Sequence, residues 1–183
     1  KWLRLLSLNG QTKDAFTKSQ GGNWRYDIIY PGFKMNLSDI CAAVGLAQIR
    51  KYETFLLEKR KEIFRKYDEG FSSEDWAELP PEIVDGRESS CHIYLLRING
   101  ISEYQRDKII EAINELGVSV NVHFVPMPML TVFRERGYDI NDYPVSLDNY
   151  SRVITLPVYP QLSDEDTQTI ITSVKEAYRK VVS

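Results

Sequence analysis

One feature constrains the fold more than any other: a proline-free run of about thirty residues that begins at Ser38 and meets a stop signal at Gly70. The Ser38 hydroxyl can cap a free backbone N–H, and the Asp39 carboxylate suits the positive end of a helix dipole. Apolar residues then recur near helical spacing at Val44, Ala47, Phe55, Ile63 and Tyr67. About thirty residues at ~1.5 Å each make a rod of ~45 Å. Residues 38–75 are therefore predicted to form a long interdomain helix.

After Pro80-Pro81 the long helical pattern gives way to short alternating elements. Residues 92–98 are typical of a strand, and Ser102 opens a Ser-x-x-Gln capping box before a helix that ends at Gly117. A strict apolar–polar alternation over residues 118–124 predicts a half-buried strand. This part of the chain is therefore expected to form a strand–helix–strand unit.

The last part of the chain continues with short elements. Residues 127–136 are predicted to form a short helix, residues 138–144 a turn-rich segment and residues 153–159 an extended stretch. Ser163 opens a second capping box, before an amphipathic helix that runs to the C-terminus. These patterns predict an α+β fold, within the broader α/β class, with a small sheet packed by helices in a compact module over residues 76–183.

Residues 1–37 are different in character. A short apolar pattern is interrupted by Asn9-Gly10, which is a turn signal. Residues 17–36 show no periodicity but carry aromatic side chains such as Trp24 and Tyr30. A loop of this length without periodicity is uncommon unless it is functional or disordered. Its aromatic content argues against disorder, so a functional loop is predicted.

Composition excludes several classes of protein. The chain has 183 residues, with 23 Lys and Arg against 26 Asp and Glu and a formal net charge of −3. This gives no electrostatic reason to expect a nucleic acid or an anionic membrane as partner, and no apolar run approaches the ~20 residues of a membrane helix. Cys41 and Cys91 lack CxxC spacing, so we expect reduced packing residues of a cytoplasmic protein. With only two histidines, no metal site is expected. The chain opens at Lys1 without Met or a signal peptide, and we expect a piece of a longer protein.

No motif of a self-contained active site occurs. GxGxxG, P-loop, HExxH, GxSxG and EF-hand spacings are absent, and a Cys41–His123 pair would lack an orienting third group. The polar pair Lys34 and Asn36 directly precedes the predicted helix start at Ser38, and helix N-termini receive phosphate and other anions. A capped helix preceded by a solvated lysine would have the same sequence, so both interpretations stay open.

Four motifs occur in register along the chain. Leu5–Phe16 is similar to an LRxHGxxxDA segment, and residues 26–49 read YDIIYPGFKMNLSDICAAVGLAQI, which resembles a PGYKYNLTDIQAAIGLAQL signature. Val122–Pro126 resembles HFxP, and Arg152–Ser163 resembles RxLSLPLYPxLT. On these motifs, nearly the whole chain resembles the C-terminal half of the DegT-type PLP-dependent sugar-nucleotide aminotransferases.

The resemblance implies the C-terminal small domain of a fold-type I aminotransferase and a homodimer formed through the 20–36 loop and the long helix. Residues 1–37 would then be a remnant of the large domain plus a loop donated to the partner's active site. Asn36 would help to hold the phosphate of the PLP bound by the other subunit, with Lys34 beside it. Tyr30 and His123 would line the substrate side. For His123, a satisfied histidine at a strand end is the alternative.

The chain also departs from the family pattern. The usual histidine of the first motif is Asn9, and Met127-Pro128 replaces a polar position after HFxP. The lysine that binds PLP covalently would lie before residue 1, and none of Lys1, Lys13 and Lys34 aligns with it. Since PLP transamination requires that amine, the chain is expected to contain no catalytic residue of its own and to be inactive alone.

Three functions follow as hypotheses. In the leading one, the parent enzyme transfers an amino group from glutamate to a keto-sugar nucleotide, for amino sugars of a surface polysaccharide. In the second, the parent belongs to a branch of the family that uses histidine in place of the lysine and performs sugar 3-dehydration. In the third, the chain is a non-catalytic dimerisation or interaction module.

Overall fold

The computed structural model describes residues 2–12, 26–81 and 83–182. Residues 17–25, the first part of the predicted functional loop, lie outside the described residues, as do Lys1 and Lys13. Contacts within the chain define two compact units, residues 1–51 (the N-terminal unit) and residues 52–183 (the C-terminal unit).

The N-terminal unit contains two helices and an extended segment. Helix α1 spans Trp2–Ser7 and is followed by the Asn9-Gly10 turn, where φ is 55° and 71°. Helix α2 spans Asp39–Arg50, and Ser38 caps it as predicted, since its Oγ accepts the Cys41 N–H at 3.4 Å. No residue of either helix is buried.

Separate helical segments occupy the range of the predicted long helix, and Lys51, with φ −112° and ψ 9°, follows the first of them. After α2, a π-helical segment spans Tyr52–Leu56, and α3 spans Leu57–Phe71, which ends one residue past the predicted stop. Helix α3 supplies Ile63, Phe64, Tyr67 and Phe71 to the core of the C-terminal unit. The compact C-terminal module therefore begins before residue 76. The assignment of residues 1–37, 38–75 and 76–183 to domains of a longer protein stays a prediction.

A three-stranded antiparallel sheet organises the C-terminal unit, in the order β1–β4–β5. Its strands are β1 (Ala77–Glu78), β4 (Tyr94–Ile98) and β5 (Val153–Leu156), while β2 (Ile83–Val84) and β3 (Arg87–Glu88) pair in a separate hairpin. The register places Leu95 opposite Thr155 and Arg97 opposite Val153. These four side chains share one face, the outer face, because side chains alternate along a strand.

The other face of the sheet carries the core. Tyr94, Leu96, Ile98, Ile154 and Leu156 pack with apolar residues of α3, α4 (Glu103–Glu115) and α7 (Asp164–Val182). Helix α6 (Pro144–Arg152) contacts β4, and α5 (Thr131–Arg134) and 3₁₀ turns at Met127–Met129 and Ile140–Asp142 complete the unit. The predicted α+β class, with a small sheet packed by helices, is confirmed.

Both predicted capping boxes are present. Ser102 Oγ accepts the Gln105 N–H at 3.3 Å, and Gln105 Oε1 accepts the Ser102 N–H at 3.0 Å. Ser163 and Asp166 exchange the equivalent bonds at 3.0 and 3.1 Å. Each box satisfies backbone N–H groups that a helix start leaves without intrahelical partners.

The strand predicted over residues 118–124 is wrong. Its pairing among the described residues is the isolated bridge between Asn121 and Thr155. Asn121 Oδ1 accepts the Val122 N–H at 2.7 Å, so this N–H is satisfied locally instead of in a ladder. Phe124, which the alternation places on the buried side, is 76% exposed.

Helix α6 was not predicted: it lies between the turn-rich segment predicted over residues 138–144 and the extended stretch predicted over residues 153–159. Its Pro144 occupies the first helical turn, where the missing N–H costs nothing. Cys91 is buried as expected, but Cys41 is an exposed free thiol on α2, so its predicted packing role is wrong in this chain.

Candidate functional site

Two glycines fix the extended segment of the N-terminal unit. A Cβ on Gly10 would lie 1.7 Å from the Tyr30 carbonyl oxygen, and a Cβ on Gly32 would lie 2.5 Å from the Gly10 nitrogen. Real side chains do not tolerate such distances, so both positions require glycine as long as the backbone keeps this course. Gly10 also has φ +71°, a conformation that glycine adopts without strain.

Backbone hydrogen bonds hold the same segment against α1 and the turn. Asn9 N–H donates to the Phe33 carbonyl at 3.0 Å, and Phe33 N–H donates to the Leu6 carbonyl at 2.7 Å. Ile29 N–H donates to the Gly10 carbonyl at 3.1 Å, and Met35 N–H donates to Ser7 at 2.9 Å. We call residues 29–35, with these bonds, the clamped segment.

The clamped segment positions Tyr30. Its ring packs edge-to-face on Trp2, with the centroids 5.7 Å apart. Tyr30 remains 49% exposed. The tyrosine that the resemblance assigns to the substrate side is thus held at its ring by α1.

Lys34 and Asn36 lie just before α2, and both side chains are exposed. Successive side chains of an extended chain point to opposite sides, so these two point to the same side. Neither forms an ion pair or a side-chain hydrogen bond with a residue in the described ranges. With respect to residues 2–12, 26–81 and 83–182, the Asn36 amide and the Lys34 ammonium keep their donors available, and this donor set fits the phosphate of PLP.

The capping of α2 limits the number of backbone N–H groups that remain to bind an anion at the start of this helix. Ser38 Oγ accepts the Cys41 N–H, and the Ser38 carbonyl accepts the Ala42 N–H at 2.8 Å. Two N–H groups at the start of α2 are thus already engaged. Anion binding at this helix end would rely mainly on the side chains of Lys34 and Asn36.

His123 belongs to the C-terminal unit. It follows the Asn121–Thr155 bridge at the free edge of β5 and lines a cavity of about 170 Å³ on the outer face of the sheet. The ring is partly exposed and packs edge-to-face on Phe124, with centroids 4.6 Å apart. Its Nδ1 is buried and has no hydrogen-bond partner. The structure brings Tyr30, Lys34 and Asn36 together along one segment, while His123 lies in the other unit.

Sequence reasoning missed the polar groups that support this cavity. Arg97 Nη1 donates to Asn149 Oδ1 at 2.9 Å, and Arg97 Nη2 pairs with Glu78 at 2.6 Å. Arg152 pairs with Glu78 at 2.5 Å and with Asp148 at 2.9 Å. The one local signal was Arg97 within the otherwise apolar strand β4, because a charged side chain inside a strand usually has a polar or charged partner on a neighbouring strand.

Residues 1–175 match the family model described as the DegT/DnrJ/EryC1/StrS aminotransferase family. The chain belongs to this family. The motif-based resemblance to DegT-type aminotransferases is thereby confirmed.

Curated relatives of the DegT-family chain include SpsC, a spore coat polysaccharide biosynthesis protein of Bacillus subtilis (strain 168). It is 32% identical over 181 residues, which cover 95% of this chain and 45% of SpsC. The uncharacterized protein MJ1066 of Methanocaldococcus jannaschii is 33% identical over 177 residues, with the same two shares. The chain thus spans less than half the length of these relatives.

Solved structures agree with this placement. Spr1654 from Streptococcus pneumoniae, named as a sugar aminotransferase, superposes in its PMP form with a TM-score of 0.86 at 40% identity, over 97% of this chain and 44% of that one. Its PLP form gives 0.86 at 37% identity, over 98% and 43%. Helicobacter pylori PseC, at 24% identity over 97% of this chain and 45% of that one, has a TM-score of 0.79 and shows the fold alone.

Within residues 2–12, 26–81 and 83–182, no helix combines the length and apolar character needed to cross a bilayer. In the same residues, no group of three or more His, Cys, Asp or Glu side chains is placed to hold a metal ion.

Proposed function

We propose that this chain supplies the phosphate anchor and part of the substrate site of a PLP-dependent sugar-nucleotide aminotransferase. The observation that carries the proposal is the clamped segment, which contains Lys34 and is followed by Asn36 just before α2. Neither side chain has a polar partner among the described residues. Family membership supports it, and so do the PLP and PMP forms in which Spr1654 was solved.

Each proposed residue has a role that its chemistry allows. Bound PLP would supply the electron sink for moving an amino group, from glutamate to a keto-sugar nucleotide. Asn36 would donate its amide N–H to a phosphate oxygen, and Lys34 would add a positive charge beside it. Tyr30 and His123 would contact the sugar nucleotide. The lysine that binds PLP covalently is proposed to lie outside this chain.

A homodimer is part of the proposal, and the exposed apolar side chains of the N-terminal unit support it. Ile40 is 81% exposed and Ile49 74%, and no residue of α2 is buried. In the preceding segment, Phe33 and Met35 are 67% and 71% exposed. Large apolar side chains exposed in this number are typical of an interaction site. We propose that the 20–36 loop and α2 meet the partner subunit there.

The first experiment tests where the reactive lysine lies. The chain would be incubated with PLP, reduced with borohydride and examined by intact-mass and peptide mass spectrometry. We expect only scattered, substoichiometric labelling of surface lysines and no transamination of a keto-sugar nucleotide. Stoichiometric labelling of one lysine would contradict the proposal.

A second experiment tests the phosphate anchor without covalent chemistry. Pyridoxine 5′-phosphate, which has no aldehyde, would be titrated into the ¹⁵N-labelled chain, with weak but saturable shifts expected at Lys34 and Asn36. Asn36→Ala should weaken this binding several-fold. Asn114→Ala, at an exposed position on α4, is the matched control and should leave it unchanged. Equal effects of the two substitutions would remove the support for the anchor.

The dimer is tested by light scattering after size exclusion over a range of concentrations. We expect association that Val44→Glu abolishes, because Val44 is 60% exposed on α2. Val145→Glu makes the same change at a 74% exposed valine of α6 and should leave association intact. A monomer at every concentration would contradict the proposed interface.

A further inference from the structure

Two Asn-Gly pairs occur in the chain, Asn9-Gly10 and Asn99-Gly100. An asparagine side chain loses its amide most easily when glycine follows, because glycine has no Cβ to hinder attack by its own backbone nitrogen. That nitrogen and the asparagine Cγ are already linked through the asparagine backbone and Cβ, so a bond between them closes a five-membered ring. The fold determines which of the two pairs can react.

The first pair is held in the N-terminal unit in a way that opposes this reaction. Gly10 is buried, and its N–H donates to the Leu5 carbonyl at 2.9 Å. A Cβ on Gly10 would lie 1.7 Å from the Tyr30 carbonyl oxygen, so the backbone packs closely around this position. The Gly10 nitrogen would have to break its hydrogen bond and leave this packing before it could attack the Asn9 side chain.

The second pair is open to solvent. It follows the end of β4, and both of its residues are exposed. Gly100 has φ +75°, and a Cβ built on it would meet nothing within 4 Å. No residue in the described ranges accepts the Gly100 N–H, and none within residues 2–12, 26–81 and 83–182 accepts from Asn99 Nδ2. Water therefore has access to both the attacking and the leaving nitrogen.

An arginine engages the oxygen of the Asn99 amide. Arg152 Nη1 donates to Asn99 Oδ1 at 3.1 Å. The same guanidinium is held by two carboxylates, those of Glu78 at 2.5 Å and Asp148 at 2.9 Å. A charged donor on an amide oxygen draws electrons from the carbonyl carbon and stabilises the oxyanion that forms when a nucleophile attacks that carbon. A hydrogen bond that only restrained the amide would slow the attack, so the reaction rate separates the two effects.

We propose that Asn99 is a deamidation site of the folded chain, and that Arg152 activates its side-chain amide. Solvent base removes the Gly100 N–H proton, and the nitrogen bonds to Asn99 Cγ while the carbonyl electron pair moves onto Oδ1. The electron pair then returns, the Cγ–Nδ2 bond breaks, and Nδ2 leaves as ammonia with a proton from solvent. Water opens the resulting succinimide at either carbonyl carbon, so the products are isoaspartate and aspartate.

The modification changes the charge where β1, β4 and α6 meet. Arg97 and Arg152 pair with Glu78 and Asp148 in the unmodified chain, so these four charges balance. A carboxylate at position 99 adds a negative charge beside Arg152 and competes with Glu78 for it. In the isoaspartyl product, the main chain between β4 and α4 also gains a methylene group. The site uses residues of the C-terminal unit alone and does not depend on the proposed function.

The test follows deamidation of the full chain in mildly alkaline buffer by peptide mass spectrometry. Synthetic peptides of residues 5–12 and 95–103, in the same buffer, give the rates without a fold. We expect Asn99 to react several-fold faster in the chain than in its peptide, and Asn9 to react several-fold more slowly than in its own. Isoaspartate and aspartate should both form at position 99, because a succinimide opens in two ways, whereas direct hydrolysis of the amide gives aspartate alone.

A pair of variants tests the role of the arginine. Arg152→Met removes the donor to Asn99, and in a variant that circular dichroism shows to be folded we expect the Asn99 rate to fall to that of the peptide. Arg179→Met, at an exposed position of α7, is the control and should leave the rate unchanged. An Asn99 rate in the wild-type chain no higher than in the peptide would overturn the proposal without any variant. Aspartate without isoaspartate, or a rate that folded Arg152→Met leaves unchanged, would overturn it as well.

Discussion

Arg106 Nη1 donates to the backbone carbonyl of Tyr150 at 2.6 Å, while the guanidinium carbon lies 5.0 Å from the centre of the Tyr150 ring. The same nitrogen lies 3.3 Å from the Val153 carbonyl oxygen, and the Arg106 residue is 1% exposed. One side chain of α4 thus joins the end of α6 to the start of β5. It holds in place two elements that wall the His123 cavity.

Replacing Arg106 should therefore destabilise the chain. Arg106→Met leaves the carbonyls of Tyr150 and Val153 without this donor, and we expect a loss of about 2–3 kcal/mol in the free energy of unfolding. Urea unfolding followed by circular dichroism measures it. Arg179→Met, at an exposed position of α7, should stay within about 0.5 kcal/mol of wild type. Equal effects at the two sites would show that the buried contacts contribute nothing.

Replacing three glycines by alanine should change the stability of the chain in different directions. Gly32→Ala places a Cβ 2.5 Å from the Gly10 nitrogen and 2.8 Å from the Leu6 carbonyl oxygen, so the clamped segment must shift, at a cost of about 1–3 kcal/mol. Gly10→Ala should behave alike. In contrast, a Cβ on Gly45 of α2 meets nothing within 4 Å, and Gly45→Ala should stabilise the helix by about 0.5–1 kcal/mol.

Amide hydrogen exchange measures the effect of each glycine substitution at individual backbone N–H groups. The Asn9 and Phe33 N–H groups should lose protection in Gly10→Ala and Gly32→Ala and keep it in Gly45→Ala. Protection that is the same in all three variants would mean that the glycine contact does not hold the clamped segment.

Removal of a helix cap should cost a measurable part of the stability. Ser102→Ala eliminates the acceptor for the Gln105 N–H at the start of α4, with an expected loss of about 1 kcal/mol in the free energy of unfolding. Ser119→Ala, at an exposed loop position, provides the comparison and should change little. The expectation fails if the urea midpoints of the two variants coincide.

Acid should weaken an ion-pair network on α3. Lys59 and Lys66, at 2.8 and 3.1 Å from the Glu62 carboxylate, lower its pKa from 4.5 to about 2 by hydrogen bonding and charge. A depressed carboxylate pKa adds stability above the unfolded-state value, and that stability is lost as pH falls through the folded-state value. The Glu62 contribution should therefore disappear between about pH 4.5 and 2.

The pH experiment compares thermal midpoints of wild type and Glu62→Gln from pH 6 to pH 2. We expect a difference at pH 6 that shrinks at acid pH and in high salt, because the pairs are exposed. Glu176→Gln, at an exposed position of α7, should show a smaller change with pH. A Glu62→Gln difference that is constant with pH would argue against the network.

Local signals of the sequence were the reliable ones. The caps at Ser38, Ser102 and Ser163 were predicted because each depends on residues within one helical turn. Helix α6 was missed because its nine residues are too few for a clear apolar period and begin at a proline. The strand expected around Val122 failed because the Asn121 side chain captures the next N–H, a competition that alternation does not register.

The parts of the site that depend on long-range contacts could not be predicted. The contact between Gly10 and Gly32 joins residues from different motifs, and each glycine alone only signals a turn. Arg106 is buried on the same face of α4 as Ile109 and Ile113, and no pattern in the sequence predicts a buried charge on that apolar face. The resemblance named Tyr30, Lys34, Asn36 and His123, but only the structure shows how the first three are held on one segment.

The two edges of the small sheet have a consequence for how this chain associates. One edge is strand β1, which is only two residues long. At the other edge, Thr155 of β5 pairs with Asn121, and the next N–H, that of Val122, donates to the Asn121 side chain instead of extending the ladder. Neither edge presents a long row of free backbone groups, which is how natural sheets avoid joining edge to edge into aggregates. Self-assembly should therefore proceed through the apolar side chains of helices. The fluorescence of a fibril-specific dye should not increase at concentrations where oligomers form.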